Sequence, residues 1–248
     1  MDHRLALLGT ALLLAGCSPV AEEPPEAAPE VTVPELVDVT ADVPQTERAR
    51  LPRLARDSAE RRAKQITVRV RNLTCQGLSV GSGVALDSNL LVTNRHVLAG
   101  AEELEVSTWN GRTLQVTAAS VAVLGDIGIA RVEGRLPLAG AFGPSPEPGD
   151  LVTAVGYPRG GPLRLSEGTV VDRVDGAELE IPGSVVRVTA RIQRGNSGGP
   201  LLDRKGRIAG IVYAIDLRNG LGLAIPVDTF RRLTRVGGFE DVPPCGAG

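Results

Sequence analysis

From Ile66 onward the apolar residues of this chain come in short runs, each closed by turn residues. Ile66-Thr67-Val68-Arg69-Val70 alternates apolar and polar, the period of a strand with one buried face. Similar runs recur at 83–86, 90–93, 104–106, 121–124 and 127–130. A Pro- and Gly-rich passage at 134–149 interrupts the series, which resumes at 151–155, 168–171, 185–188, 208–212 and 222–225. Only 228–235 reads as a terminal helix. Two sets of short strands around one linker predict an all-β chain, folded as two small barrels or as a sandwich. Aromatic residues make up only 2% of the chain, but hydrophobic residues reach 42%, so the core must be aliphatic. The 30 glycines supply the turns.

The N-terminal part follows other rules. A short apolar segment behind Arg4 ends in Leu14-Ala15-Gly16-Cys17, too short to stay in a bilayer as a spanning helix. Those four residues resemble a bacterial lipobox, which implies cleavage before Cys17 and lipidation of its sulfur. An ordinary signal peptide with an incidental cysteine is the alternative. Glu22, Glu23, Pro24, Pro25, Glu26, Pro29, Glu30 and Pro34 then give a charged, stiff tract unable to bury apolar surface, as expected of an extended tether. The charge reverses at Arg48, Arg50, Arg53, Arg56, Arg61, Arg62 and Lys64, with Leu51, Leu54 and Ala55 interleaved. A short helix lying on the protein accounts for this segment, and so does a basic patch facing a membrane. The formal net charge is −2, and nothing in the balance suggests a nucleic-acid partner. Once Cys17 is set aside, Cys75 and Cys245 remain, and in an exported protein an even remainder suggests one disulfide. Neither has the neighbours of a zinc site, so no metal and no cofactor is expected.

Three segments carry chemistry. In Gly195-Asn196-Ser197-Gly198-Gly199-Pro200, glycines surround one hydroxyl, which suits a nucleophile whose neighbouring backbone N–H groups must face a developing oxyanion. Alone, such a segment is also consistent with a plain turn. A phosphate loop is disfavoured because no Lys follows in the required place. A serine hydroxyl needs a base. With His3 in the signal segment, the mature chain offers His96, at the end of the apolar run 90–93. The base in turn needs a carboxylate. Asp126 lies between Val121-Ala122-Val123-Leu124 and Ile127-Gly128-Ile129-Ala130, where an unpartnered charge would be costly.

The order His96, Asp126, Ser197 and the segments around them resemble the trypsin-like serine proteases. The compact spacing and the Gly156-Tyr157-Pro158 turn are similar to bacterial HtrA-like members. Within that group the membrane-associated acid-resistance proteases of actinobacteria look most similar, with a disulfide that Cys75 and Cys245 would match. The chain differs from them in its lipobox and lack of a multi-span membrane region, and from HtrA proteins in having no PDZ module after Val236. The resemblance implies a chymotrypsin-like fold of two six-stranded antiparallel β-barrels with a short C-terminal helix. Together with the N-terminal reading above, this gives a signal peptide and lipobox at 1–17, a tether and basic segment at 18–63, the first barrel at 64–146, and the second barrel with the tail at 147–248. The resemblance also implies a serine endopeptidase acting on extended polypeptides. His96 would be general base, Asp126 its orienting partner, Ser197 the nucleophile, and the Gly195 and Ser197 amides the oxyanion hole. Arg191 and Ile192 fall at the specificity pocket, and Tyr213-Ala214-Ile215 at the strand edge that pairs with substrate. Asn196 stands where digestive proteases have an aspartate that pairs with a new N-terminus, so activation without such cleavage is implied. A non-catalytic envelope binding protein or holdase on the same scaffold is the rival reading. An esterase would share the chemistry and is the less favoured reading.

These readings predict that Cys17→Ser releases the mature protein from membranes. Fractionation of cells checks this, and wild-type protein found wholly soluble would count against the lipid anchor.

Overall fold

The structure is a computed structural model that describes residues 53–243 and Cys245. Cys17, the lipobox and the Pro/Glu-rich tract lie outside the described residues. The basic segment forms helix α1 (Arg53–Ile66). Ala63 and Ile66 are buried beneath it, Glu60, Arg61 and Arg62 face solvent, and Lys64 pairs with Glu60 one turn back at 2.7 Å. One face of the helix therefore rests on the protein. Among the described residues no helix is long and apolar enough to cross a membrane.

Strands β1 (Thr67–Thr74), β2 (Gly77–Ala85), β3 (Leu90–Thr93), β4 (Ala101–Thr108), β5 (Thr113–Ala122) and β6 (Gly128–Val132) follow. They pair antiparallel in the order β5-β4-β1-β2-β3-β6, and β6 returns to β5, closing a barrel. Alternation along β1 sends Val68 and Val70 inward, where they meet Leu91, Val106, Val121 and Val132. The second series is β7 (Leu151–Gly156), β8 (Arg164–Asp175), β9 (Ser184–Val188), β10 (Pro200–Leu202), β11 (Ile208–Ile215) and β12 (Gly222–Pro226). It closes as β10-β11-β12-β9-β8-β7 around Val152, Val170, Val186, Leu201, Val212 and Ala224. Closure removes free sheet edges, and small aliphatic side chains fill barrels of this size. The two six-stranded antiparallel barrels are those the resemblance implied, and the sandwich alternative is set aside. β10 was not foreseen. It is only three residues long and starts at Pro200.

The Pro/Gly-rich passage carries Phe142, which stacks on Phe230 of helix α3 (Val227–Val236) at 5.5 Å between ring centroids. α3 buries Val227, Phe230 and Leu233. The chain then crosses back. A last strand, β13 (Phe239–Asp241), pairs with β5, so the tail expected with the second barrel extends the sheet of the first. The tail has holds besides the disulfide. Gly238 and Pro243 carbonyls accept from Val123 and Gly100 amides, Glu240 pairs with Arg95 at 2.8 Å, and Val242 packs on the first core. The Cys75–Cys245 disulfide closes a separation of 170 residues.

A cross-link over so long a loop restricts the unfolded chain, by about 5 kcal/mol in the chain-entropy account and about 2–4 kcal/mol in typical measurements. Cys245→Ser should therefore lower the melting temperature by roughly 5–15 °C for a domain of this size. A melt without reductant checks it. An unchanged midpoint would show that β13 pairing alone holds the tail.

Candidate active site

β3 ends at Thr93, and one residue later the chain turns into the single helical turn α2 (Arg95–Leu98), which buries Val97 and Leu98 and leaves His96 facing out. Asp126 sits in the connection from β5 to β6. Its carboxylate accepts twice from His96: from the ring Nδ1 at 2.6 Å and from the backbone N–H at 2.8 Å. An ionised carboxylate can only accept, so Nδ1 carries the proton and Nε2 is left as an acceptor. Asn94 holds the other side of this turn, donating its Nδ2 to the Asp126 carbonyl at 2.8 Å. Of the two apolar runs that flank Asp126, Ile127, Ile129 and Ala130 are buried, as are Val121 and Ala122, while β5 ends at Ala122 and Val123 and Leu124 are 49% and 46% exposed. The Asp126 side chain itself is 15% exposed, and the two His96 donors, not an apolar wall, satisfy it.

The nucleophile segment lies between β9 and β10. Gly195 has φ +95°, and a Cβ there would strike the Tyr157 carbonyl. Gly198 has φ +84°, and its Cβ would strike the Ser82 carbonyl and the Thr93 hydroxyl. Both positions therefore require glycine for conformation and for close approach. The Ser197 hydroxyl donates to the Tyr213 carbonyl at 3.2 Å, and the Tyr213 ring meets the His96 ring edge-on at 6.5 Å. Ser197 and His96 thus flank one residue. Among the described residues they share no direct hydrogen bond, as is common in unliganded sites, where such bonds tighten with substrate. The Gly195 and Ser197 amides have no hydrogen-bond partner among the described residues. Asn196 is 3% exposed, and its side-chain oxygen has no partner among them either.

β11 runs past β10 here. Its pairing with β10 ends at Ile211, while Ala214 and Ile215 still pair with β12. Among the described residues no strand pairs with the other edge of Tyr213-Ala214-Ile215. Beside it lies a groove of about 300 Å³ lined by Leu179, Tyr213, Ile215, Leu217, Arg218 and Leu223. The Tyr213 hydroxyl donates to the Leu179 carbonyl at 2.9 Å, tying the β8–β9 loop to this edge. Arg191 and Ile192 part ways. Arg191 is exposed, and its amide donates to the Ser166 hydroxyl at 2.7 Å. Ile192 is 9% exposed and packs in the second core with Val188, Ala190 and Ile215. The cluster Cys75, Glu102 and Cys245 has the residue types of a metal site, but the disulfide occupies both sulfurs.

Sequence reasoning missed the residues that join this site to the first barrel. Ser82, on β2, is fully buried and bonded to the nucleophile segment. Thr93 donates to the Ser82 carbonyl at 2.6 Å. Arg69 reaches from β1 to the Gly160 carbonyl at 3.0 Å, with its guanidinium over the Tyr157 ring. The available signal was a hydroxyl between two glycines, Gly81-Ser82-Gly83, in an otherwise apolar strand.

Comparison with known proteins agrees with this architecture. Residues 81–211 match the trypsin-like peptidase domain. The chain belongs to that family. A DegP-like periplasmic serine endoprotease of Buchnera aphidicola is 31% identical over 217 residues, covering 83% of this chain and 47% of that protein. Serine protease Rv3671c of Mycobacterium tuberculosis is 30% identical over 161 residues, covering 60% of this chain and 40% of that one. The chain spans less than half the length of these curated relatives. Among solved structures, the active form of the Rv3671c protease superposes with a TM-score of 0.67 at 22% identity, over 84% of this chain and 97% of that chain. A serine endoprotease of Yersinia pestis gives 0.61 at 28% identity, over 75% and 69%.

The two tyrosines of the site are measurable. Burial pushes the Tyr157 phenol up to about 12, although Arg69 pulls it down. Tyr213 is raised by burial, then by the charges of Asp126 and Glu180. The folded state favours the neutral phenols, so their contribution to stability is full below pH about 10 and is lost as pH rises toward 12. An ultraviolet titration should show less tyrosinate at pH 10 in the native chain than in denaturant, where the phenols are half ionised at about that pH, with Tyr157 the last to ionise. Native ionisation at pH 10 would contradict the burial of Tyr157.

Proposed function

We propose that this chain is a serine endopeptidase of the bacterial cell envelope, with His96, Asp126 and Ser197 as its catalytic triad. The observation that carries the reading is the double acceptance by Asp126. It leaves Nε2 of His96 available as a base, on a ring that meets Tyr213 edge-on, the residue whose carbonyl accepts from Ser197. His96 would take the Ser197 proton as Oγ attacks the peptide carbonyl. Asp126 stays ionised and stabilises the imidazolium. The Gly195 and Ser197 amides, unused within the described fold, would receive the oxyanion. His96 then returns the proton to the leaving amine, and a water, deprotonated in the same way, hydrolyses the acyl-enzyme.

Substrate would lie as an extended strand on the open edge at Tyr213-Ala214-Ile215, where main-chain bonds bind without regard to side chain. Selectivity then rests on the residue before the scissile bond. Buried Ile192 offers that side chain an apolar surface, and exposed Arg191 offers no carboxylate for a basic one. We assign a preference for aliphatic residues there. The relatives named periplasmic support a location outside the cytoplasm. The lipobox-like segment adds a lipid anchor on Cys17 as the membrane contact.

Ser197→Ala and His96→Ala should each remove nearly all turnover, on the order of 10⁶-fold in kcat, with the double variant little worse, because the groups act as one unit. Kinetics on a peptide library check this together with the preferred residue. A fluorophosphonate should label Ser197 in the wild type. Failure to label, or near-native proteolysis by Ser197→Ala, would favour the non-catalytic binding protein.

A further inference from the structure

We propose that Ser82, on the first barrel, is a positioning residue for the oxyanion hole of the second. This rests on the peptidase reading above. Four consecutive carbonyls lead through the nucleophile, and each is held. Arg194 O accepts from Arg159 N–H at 2.7 Å and Asn196 O from Gly199 N–H at 3.0 Å. Gly195 O accepts from the Ser82 hydroxyl at 2.6 Å, and Ser197 O from the Ser82 N–H at 2.8 Å. In a trans peptide the C=O and N–H point opposite ways. Holding Arg194 O and Asn196 O therefore directs the amides of Gly195 and Ser197 away from those partners, and these are the two amides with no partner of their own.

Two of the four holds belong to one residue, whose own geometry is fixed. The Ser82 hydroxyl accepts from Tyr157 N–H at 2.9 Å, so its single proton goes to Gly195 O. The Thr93 hydroxyl holds the Ser82 carbonyl at 2.6 Å. Ser82 is fully buried on β2, with its neighbours paired to β1. The residue it restrains most directly is Gly195, which lacks a side chain to resist rotation. Without the Ser82 hydroxyl, the Gly195–Asn196 peptide keeps only the Asn196 N–H bond to Gln193 O, at 3.0 Å. Rotation there would loosen the Cα atoms that this peptide shares with its neighbours, the Arg194–Gly195 and Asn196–Ser197 peptides that carry the two open amides. Asn196, uncharged, supplies no ion pair to replace the hold.

The test is Ser82→Ala, assayed well below its melting temperature. Loss of one oxyanion donor costs about 10²–10³ in kcat and misplacement somewhat less, so kcat should fall about 10–100-fold with KM within about twofold. A peptide boronate, which forms the tetrahedral adduct, should weaken by the same factor as kcat/KM. A merely structural role would lower the melting temperature and leave kcat and the boronate constant alone. Wild-type kcat in folded Ser82→Ala overturns the proposal. If Ser82→Ala does not fold, Thr93→Val releases only the Ser82 carbonyl and should show a smaller kcat loss with the same split, which Thr93→Ser restores. An equal loss in Thr93→Ser would overturn it. Amide hydrogen exchange over 193–199 reads the hold without turnover. Ser82→Ala should speed it at least tenfold, and unchanged exchange overturns the proposal even if the wild type proves inactive and the peptidase reading fails.

Discussion

Buried hydrogen bonds between the barrels set the site, because a polar group left unpaired at so buried a position carries a desolvation cost. Ser82, Thr93 and Asn196 are each no more than 3% exposed, and every carbonyl from Arg194 to Ser197 has a donor. Unmaking one such bond exposes the full desolvation cost of its partner, on the order of 1–3 kcal/mol, while making it contributes less. That asymmetry fixes geometry more firmly than it adds stability. It lets a segment rich in glycine, and so intrinsically mobile, hold one conformation beside the nucleophile.

Each barrel supplies what the other lacks. The first carries His96 and Asp126 on the short connections after β3 and β5, where a single helical turn lets His96 offer both its ring and its backbone N–H to Asp126. The second carries the hydroxyl, the open amides and the open strand edge. The contacts that cross between them are directional: Ser82 to Gly195 and Ser197, Tyr157 to Ser82, and Arg69 to Gly160. Arg159, in left-handed backbone at φ 55°, closes the turn that receives Arg69 and holds Arg194. A non-glycine residue in that region costs energy and persists where its surroundings require it.

The tail adds a further constraint on the first barrel. β13 lengthens its sheet, Glu240 engages the Arg95 that precedes His96, and the disulfide ties Cys245 to the β1–β2 turn. Arg95 also donates to the Ala122 carbonyl at the end of β5. The base and its carboxylate are therefore held from behind by the same strand that the tail covers. Stiffening from this side suits chemistry in which small displacements of a reacting group carry a large cost in rate.

Much of this was legible in the amino-acid sequence by itself. Period-two runs and their turns determined an all-β chain in two parts, because alternation has one structural meaning when the runs are short. Resemblance at three motifs then named His96, Asp126 and Ser197. The charge of Asp126 has the partner that its place between apolar runs called for, although the runs do not enclose it evenly: Ile127 and Ile129 are buried, while Val123 and Leu124 face out. The division of labour between Arg191 and Ile192 was also undecided, because adjacent residues on extended chain point to opposite sides and only the packing shows which side is inside. β13 could not be read at all, and Ser82 showed only as a hydroxyl between two glycines. A strand of three residues has no period to detect, and a serine in a glycine-flanked strand has no partner until barrel closure brings Gly195, distant by 113 residues, to within 2.6 Å. Local pattern determined the elements and the chemistry they could carry. Which buried donors met which acceptors was decided by tertiary structure, because a hydrogen bond depends on position in space and not on separation along the chain.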